Sequence, residues 1–88
     1  MKPQQWTLVT HDDFFRSLHT LRQRGEDIYR LSNAIWGALA EAEDPTKGAT
    51  PIPEKSGSYE KEFMGCLLTF EVLEKERKIR LLLLETIE

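Results

Sequence analysis

Apolar residues recur every three or four positions along two stretches in the first half of the chain. The apolar positions of the first stretch are Phe14, Leu18 and Leu21. Those of the second are Ile28, Leu31, Ile35, Leu39 and Ala42. This spacing predicts two amphipathic helices. We expect Thr10 to cap the first and Gly25 to end it in the left-handed conformation. The second ends at Asp44-Pro45, and the short link between them predicts an antiparallel helical hairpin.

Shorter segments rich in aliphatic and aromatic residues predict β-strands. One precedes the helices and three follow them: Trp6–Val9, Tyr59–Met64, Leu67–Leu73 and Ile79–Leu84,. The proline-rich stretch from Pro45 to Ser58 predicts a loop that is long for a compact domain, and therefore mobile or functional. The order is β-α-α-β-β-β. It predicts one α+β domain over residues 1–88, with an antiparallel sheet packed on one face by the helical hairpin.

Alternation along the last two strands predicts which side chains face the helices. The inward set is Leu68, Phe70, Val72, Ile79, Leu81 and Leu83,. The opposite face then carries Leu67, Leu82 and Leu84, which is apolar for a solvent surface. We therefore expect these three leucines to form an interface with a partner protein or with a second copy of the chain.

Composition narrows the classes of function. The formal net charge is −3, and nucleic-acid binding usually needs a basic surface, so this acidity counts against such a role,. It does not exclude one, because the 12 lysines and arginines could cluster. Cys66 is the single cysteine, which excludes an intramolecular disulfide and a cysteine-based metal site and favours a reducing, cytoplasmic location,. At the hairpin, Cys66 is expected to be a small hydrophobic surface residue.

No segment indicates membrane targeting or a cofactor. The opening stretch MKPQQWTLVTHDDFF lacks an apolar signal-peptide core, and the aliphatic run from Leu81 to Leu84 is too short to span a bilayer,. His11 and His19 would lie roughly 12 Å apart along a helix, too far to share a metal ion. We therefore expect neither a metal nor a cofactor.

Several motifs resemble the RelE/ParE toxin superfamily of bacterial toxin–antitoxin systems. WTLVTHDDFFRSLHTL is similar to the opening strand and helix of that family, and Ala42-Glu43-Asp44-Pro45 is similar to its "DP" turn. Residues Glu60 to Val72 are similar to its closing hairpin. The resemblance implies a toxin that is neutralised by a cognate antitoxin protein. In that family, RelE-like members cleave ribosome-bound mRNA without a metal, and ParE-like members poison DNA gyrase.

The resemblance also implies where catalysis would lie. Cationic and acid–base groups near the sheet would stabilise the phosphorane and move protons, and the candidates are Tyr59, Lys61 and Arg80. Lys55 and Arg77 are the matching candidates for binding RNA. The alternative is that Lys61 and Arg80 are solvated strand residues and that Tyr59 packs at a rim. Two family arginines are replaced here, by Glu62 and Leu67.

Two functions therefore remain open from the sequence. One is a toxin, with mRNA cleavage on the ribosome as its activity and an antitoxin as its partner. The other is a catalytically degenerate protein of the same fold, which binds a protein partner or forms a homodimer through the apolar sheet face. The replaced arginines and the acidic charge favour the second, whereas the order of elements favours the first.

Overall fold

The computed structural model describes residues 5–87. The elements are β1 (Thr7–Thr10), α1 (Asp12–Gln23), α2 (Ile28–Leu39), β2 (Thr50–Pro51), β3 (Ser58–Phe63), β4 (Cys66–Leu73), a 3₁₀ turn (Glu74–Glu76) and β5 (Lys78–Thr86). The predicted order of helices and strands is confirmed, and β2 is a two-residue addition within the proline-rich loop. The sheet order is β1-β5-β4-β3-β2. All neighbours pair antiparallel except β1, which lies parallel to β5 at one edge.

Both helices pack on one face of the sheet and bury the predicted stripes. The buried core contains Phe14, Leu21, Leu31, Ile35, Leu39, Leu68, Phe70, Ile79 and Leu81. Leu18 and Ile28 are partly buried against it. α1 packs mainly on β5, and α2 contacts β3. The face of the sheet turned away from the helices is called the outer face below.

Of the two caps predicted for α1, one is confirmed and the other is wrong. The predicted left-handed cap is confirmed at Gly25, whose φ is +88°. Its N–H donates to the Arg22 carbonyl and that of Glu26 to the Leu21 carbonyl, which is a Schellman motif,. The predicted cap at Thr10 is wrong. His11 is the N-cap, because its Nδ1 accepts from the N–H of Asp13 at 3.1 Å while Thr10 still belongs to β1.

A β-bulge in β5 overturns the predicted faces beyond Leu81. Thr69 pairs with Leu83 and Phe70 with Leu81, so Leu82 is an extra residue in β5. Because one extra residue reverses the alternation, Leu83 turns to the outer face and Leu84 to the core. Leu84 is only 3% exposed, and its placement on the outer face is therefore wrong. Leu67, Leu82 and Leu83 are half-buried.

A hydrogen bond to a side chain of α1 holds the strand segment that follows the bulge. β1 pairs with β5 only as far as Leu81, so the edge of β5 beyond that point lacks a strand partner in β1. The N–H of Leu84 donates instead to Oγ of Ser17 at 3.1 Å. Ser17 itself lies within 2.9 Å of the Asp13 carbonyl and 2.8 Å of the Phe14 carbonyl.

Replacing Ser17→Ala should lower the free energy of unfolding by about 1–2 kcal/mol, because the partly buried N–H of Leu84 loses its acceptor,. Urea denaturation would measure the change. The matched control is Thr20→Ala, which removes an exposed hydroxyl that donates only to the Arg16 carbonyl of its own helix. Equal effects of the two substitutions would contradict this role for Ser17.

Candidate functional site

The register of the sheet divides the candidate catalytic residues between its two faces. Tyr59 pairs with Phe70 and Lys61 with Leu68, and both partners are core residues. Directly paired side chains lie on the same face, so Tyr59 and Lys61 point to the helix side. Arg80 is exposed, pairs with Glu71 and lies on the outer face. The three predicted catalytic side chains therefore do not share one surface.

Tyr59 and Lys61 have structural contacts on the helix side. The Tyr59 ring stacks on Phe70, with the ring centroids 5.9 Å apart, and is half-buried against the core. The Lys61 ammonium lies 5.5 Å from the centre of the Phe63 ring and donates to the Lys47 carbonyl at 3.3 Å. These contacts favour the interpretation in which Tyr59 packs at the rim. Lys61 joins the hairpin to the loop after α2.

Arg80 is the predicted catalytic residue that reaches the outer face. Its guanidinium lies 3.4 Å from a carboxylate oxygen of Glu71, and the two side chains are 47% and 29% exposed. The carboxylate offsets the positive charge that a phosphate would need. An RNA substrate would have to displace Glu71 before it could use Arg80.

The two candidate RNA-binding residues lie outside the sheet strands. Lys55 is exposed in the turn before β3, where its carbonyl accepts from the N–H of Ser58. Arg77 has a left-handed backbone with φ of 53°, and its guanidinium lies 4.2 Å from the centre of the Trp6 ring. A cation–π contact of this kind stabilises the junction of β1 and β5. Lys55 and Arg77 therefore lie in two different turns, one before β3 and one before β5.

The outer face carries more negative than positive charge. Across β3, β4 and β5 its carboxylates are Glu60, Glu62, Glu71 and Glu85, and its cations are Lys78 and Arg80. Glu62 and Glu85 lie on either side of Leu67 in the same row of the sheet. Because phosphate groups are repelled by carboxylates, this face is poorly suited to hold an RNA backbone.

Cys66 lies in the core and not on the surface as expected. It is 3% exposed and pairs with Phe63 beside the turn at Met64-Gly65, whose φ angles of 49° and 80° suit a type I′ hairpin turn,. Burial raises the pKa of the Cys66 thiol. The nearby charge of Glu26 raises it further, and that of Arg24 lowers it. A thiol in this setting is a packing group and a poor nucleophile at neutral pH.

A groove between α1, α2 and β1 was not predicted from the sequence. It has a volume of about 240 Å³ and an apolar lining of Leu8, Phe14, Phe15, Leu18, Ile35, Trp36 and Leu81, with Thr10 and Ser32. Phe15 is 57% exposed and Trp36 is 45% exposed, although both are large and apolar. We call this feature the aromatic groove. The sequence indicates this groove in one respect: Phe15 and Trp36 each directly follow a residue of an apolar helical stripe, Phe14 and Ile35 respectively.

Solved structures of bacterial toxins share this architecture over nearly the whole chain. A chain of the toxin–antitoxin complex RelBE2 from Mycobacterium tuberculosis has a TM-score of 0.75 at 15% identity, covering 93% of this chain and 98% of that one. A metal-bound toxin from Helicobacter pylori has a TM-score of 0.69 at 19% identity, with 92% and 93% covered. The isolated RelE toxin of E. coli has 0.67 at 10% identity, with 94% and 85% covered. This chain has the RelE-like toxin fold.

The RelE-like fold confirms the resemblance that the order of elements indicated. No protein-family model and no curated protein matches the sequence. Neither described helix is long and apolar enough to cross a membrane. Among residues 5–87, no three His, Cys, Asp or Glu side chains form a group that could hold a metal ion. Within this fold, the outer face and the aromatic groove are the two surfaces to consider for function.

The buried thiol should make stability depend on pH. The unfolded Cys66 thiol ionises near pH 8.5, whereas the folded one holds its proton to higher pH,. The native state then binds more protons than the unfolded state, so the free energy of unfolding should fall as pH rises above about 8.5. Urea denaturation of the wild type and Cys66→Ala between pH 7 and 10 should show a steeper fall for the wild type. Parallel pH profiles would contradict this.

Proposed function

We propose that this protein is the toxin-type component of a bacterial toxin–antitoxin pair, that a cognate antitoxin binds it in the cytoplasm, and that it acts by binding a protein and not by cleaving mRNA. The RelE-like fold supports the toxin role, since chains of this fold occur in a solved toxin–antitoxin complex. The register that separates Tyr59 and Lys61 from Arg80 supports action without RNA cleavage.

The case against cleavage is that the candidate catalytic side chains do not point toward one place. Phosphoryl transfer without a metal needs cationic donors and acid–base groups aimed at one phosphate. Here the phenol of Tyr59 and the ammonium of Lys61 lie on the helix side, while Arg80 lies on the outer side beside Glu71. Glu62 and Leu67 occupy neighbouring positions in the hairpin that offer a phosphate no donor.

The aromatic groove is the surface best suited to the antitoxin. Energetically dominant contacts in protein interfaces are enriched in tryptophan and cluster in apolar pockets that exclude water. Phe15 and Trp36 flank such a pocket and leave large apolar surfaces in solvent. A partner segment that inserts one or two apolar side chains would cover them. Its affinity would depend more on this burial than on charge.

One observation keeps mRNA cleavage as a second candidate. Arg80 and Lys78 are both exposed on the outer face, and the Arg80–Glu71 pair is a surface ion pair of small net stability,. An RNA phosphate arriving with a ribosome could replace Glu71. Lys55 and Arg77, both exposed, would then extend the contact to the backbone of the message. In this second candidate the ribosome and its mRNA are the target.

Induced expression of the chain in a bacterial host without its antitoxin should arrest growth, because the free toxin reaches its target. Arg80→Ala and Lys61→Ala should arrest growth as strongly as the wild type, and ribosome-bound mRNA should remain intact by primer extension. Normal growth on wild-type expression would contradict the toxin role. Relief of arrest by Arg80→Ala, with loss of mRNA cuts, would instead establish the cleaving candidate.

Substitution within the aromatic groove should weaken the antitoxin complex without changing the fold. Trp36→Ala should raise the dissociation constant about 30-fold or more, because an aromatic anchor loses its buried contacts. Calorimetry with the purified antitoxin would measure the change. The matched control is Tyr29→Ala on the same helix, which is 76% exposed and does not line the groove. Equal losses for both variants would contradict a binding role for the groove.

A further inference from the structure

The outer face of β4 and β5 has an arrangement of side chains that is complementary to itself. Four directly paired rows cross the two strands in order: Leu67 with Glu85, Thr69 with Leu83, Glu71 with Arg80, and Leu73 with Lys78. One end of this face is therefore apolar and acidic, and the other end is apolar and basic. The two middle rows carry a hydroxyl, a leucine and one ion pair.

We propose that a second copy of this chain covers this face and forms a two-fold symmetric dimer, which goes beyond the proposed function and does not depend on it. The axis would lie midway between the two stacked sheets and parallel to both of them. It would run across the strands, in the direction of the rows, and pass between the second and third rows. A two-fold interface brings the same patch of both copies together. This axis places the first row of one copy over the fourth row of the other.

The contacts that this axis creates are favourable in every row. Leu67 packs on the partner's Leu73, and Glu85 faces the partner's Lys78. Thr69 can donate its hydroxyl to the carboxylate of the partner's Glu71, and Leu83 lies along the aliphatic stem of the partner's Arg80. Because the axis generates each contact twice, two ion pairs and two leucine pairs form per dimer. The half-buried leucines lose the part of their surface that now faces solvent.

The neighbouring strand and the alternative axis decide the orientation. On β3, Glu60 belongs to the row of Thr69, and the row of Glu71 ends in Ser58, which is only 4% exposed, so the position opposite Glu60 holds no second carboxylate. An axis parallel to the strands and midway between β4 and β5 would instead place Glu85 on the partner's Leu67 and Lys78 on the partner's Leu73. Each of these end charges would then lose water without meeting an opposite charge, which opposes that arrangement.

The size of the face sets the strength of the dimer. At about 6.7 Å between rows and about 4.8 Å between strands, four rows across β4 and β5 cover roughly 260 Å² per copy and β3 adds about 100 Å², against about 800 Å² per partner in a standard interface. We therefore expect a weak dimer that forms as concentration rises. The aromatic groove lies on the helix side of the sheet, so the dimer would leave both grooves open to other partners.

Charge reversal at the two ends of the face gives the test, read by sedimentation of purified chain across a concentration series. The wild type should dimerise. Glu85→Lys and Lys78→Glu should each raise the dimer dissociation constant at least about tenfold, since two attractive pairs become repulsive. An equimolar mixture of the two variants should recover association, because each lysine then faces a glutamate. The matched controls Glu43→Lys and Arg30→Glu make the same charge changes at exposed positions off the sheet and should dimerise like the wild type.

The outcomes that overturn the proposal are equally specific. A wild type that stays monomeric at every concentration overturns it, as does a dimer that neither reversal weakens. Failure of the mixture to associate overturns the assigned axis and with it the interface. A dimer that Trp36→Ala abolishes, while Glu85→Lys leaves it intact, would place the contact in the aromatic groove. Circular dichroism of each variant separates loss of association from loss of fold.

Discussion

The register between β4 and β5 is the constraint on which the rest of the molecule depends. These strands form the centre of the sheet, and the extra residue at Leu82 reverses the alternation of β5 partway along its length. Beyond it, Leu84 enters the core and its N–H reaches Ser17 on α1, while Leu83 takes a place on the outer face. One bulge therefore completes the core, anchors a helix and sets the pattern of the exposed surface.

The same register explains how a RelE-like fold can place Tyr59 and Lys61 on one face of the sheet and Arg80 on the other. Fold depends on the buried face, which is filled by Leu68, Phe70 and Ile79. Phosphate chemistry would depend on the outer face, where carboxylates outnumber cations and Arg80 already has an acidic neighbour. Since the two faces of a strand carry different residues, the buried face can specify the fold while the outer face carries other chemistry. The apolar character of the aromatic groove suits contact with a protein.

Much of the fold could be predicted because its signals are local. The helical stripes, the glycine at the end of α1 and the alternation of β4 all act over a few residues. The predictions were wrong where two neighbouring residues could take the same role, or where the structure depends on residues that are distant in sequence. Thr10 is a good capping residue, yet the imidazole of the next residue takes that role. The pairing that forms the two-residue strand β2 and the burial of Cys66 depend on neighbours distant in sequence.

The sequence by itself determined which segments are helices and strands, their order, and most of the core. The reason is that apolar residues repeat with a period of 3.6 along a helix and 2 along a strand, so nearby residues are enough to show which face of each element is buried. Only the tertiary structure decided the parallel edge strand, the bulge at Leu82, the faces of Lys61 and Arg80, and the groove between Phe15 and Trp36. Each of these is a relation between residues that pairing or packing brings together from distant parts of the chain. A one-residue change in register reverses such relations without altering any local pattern.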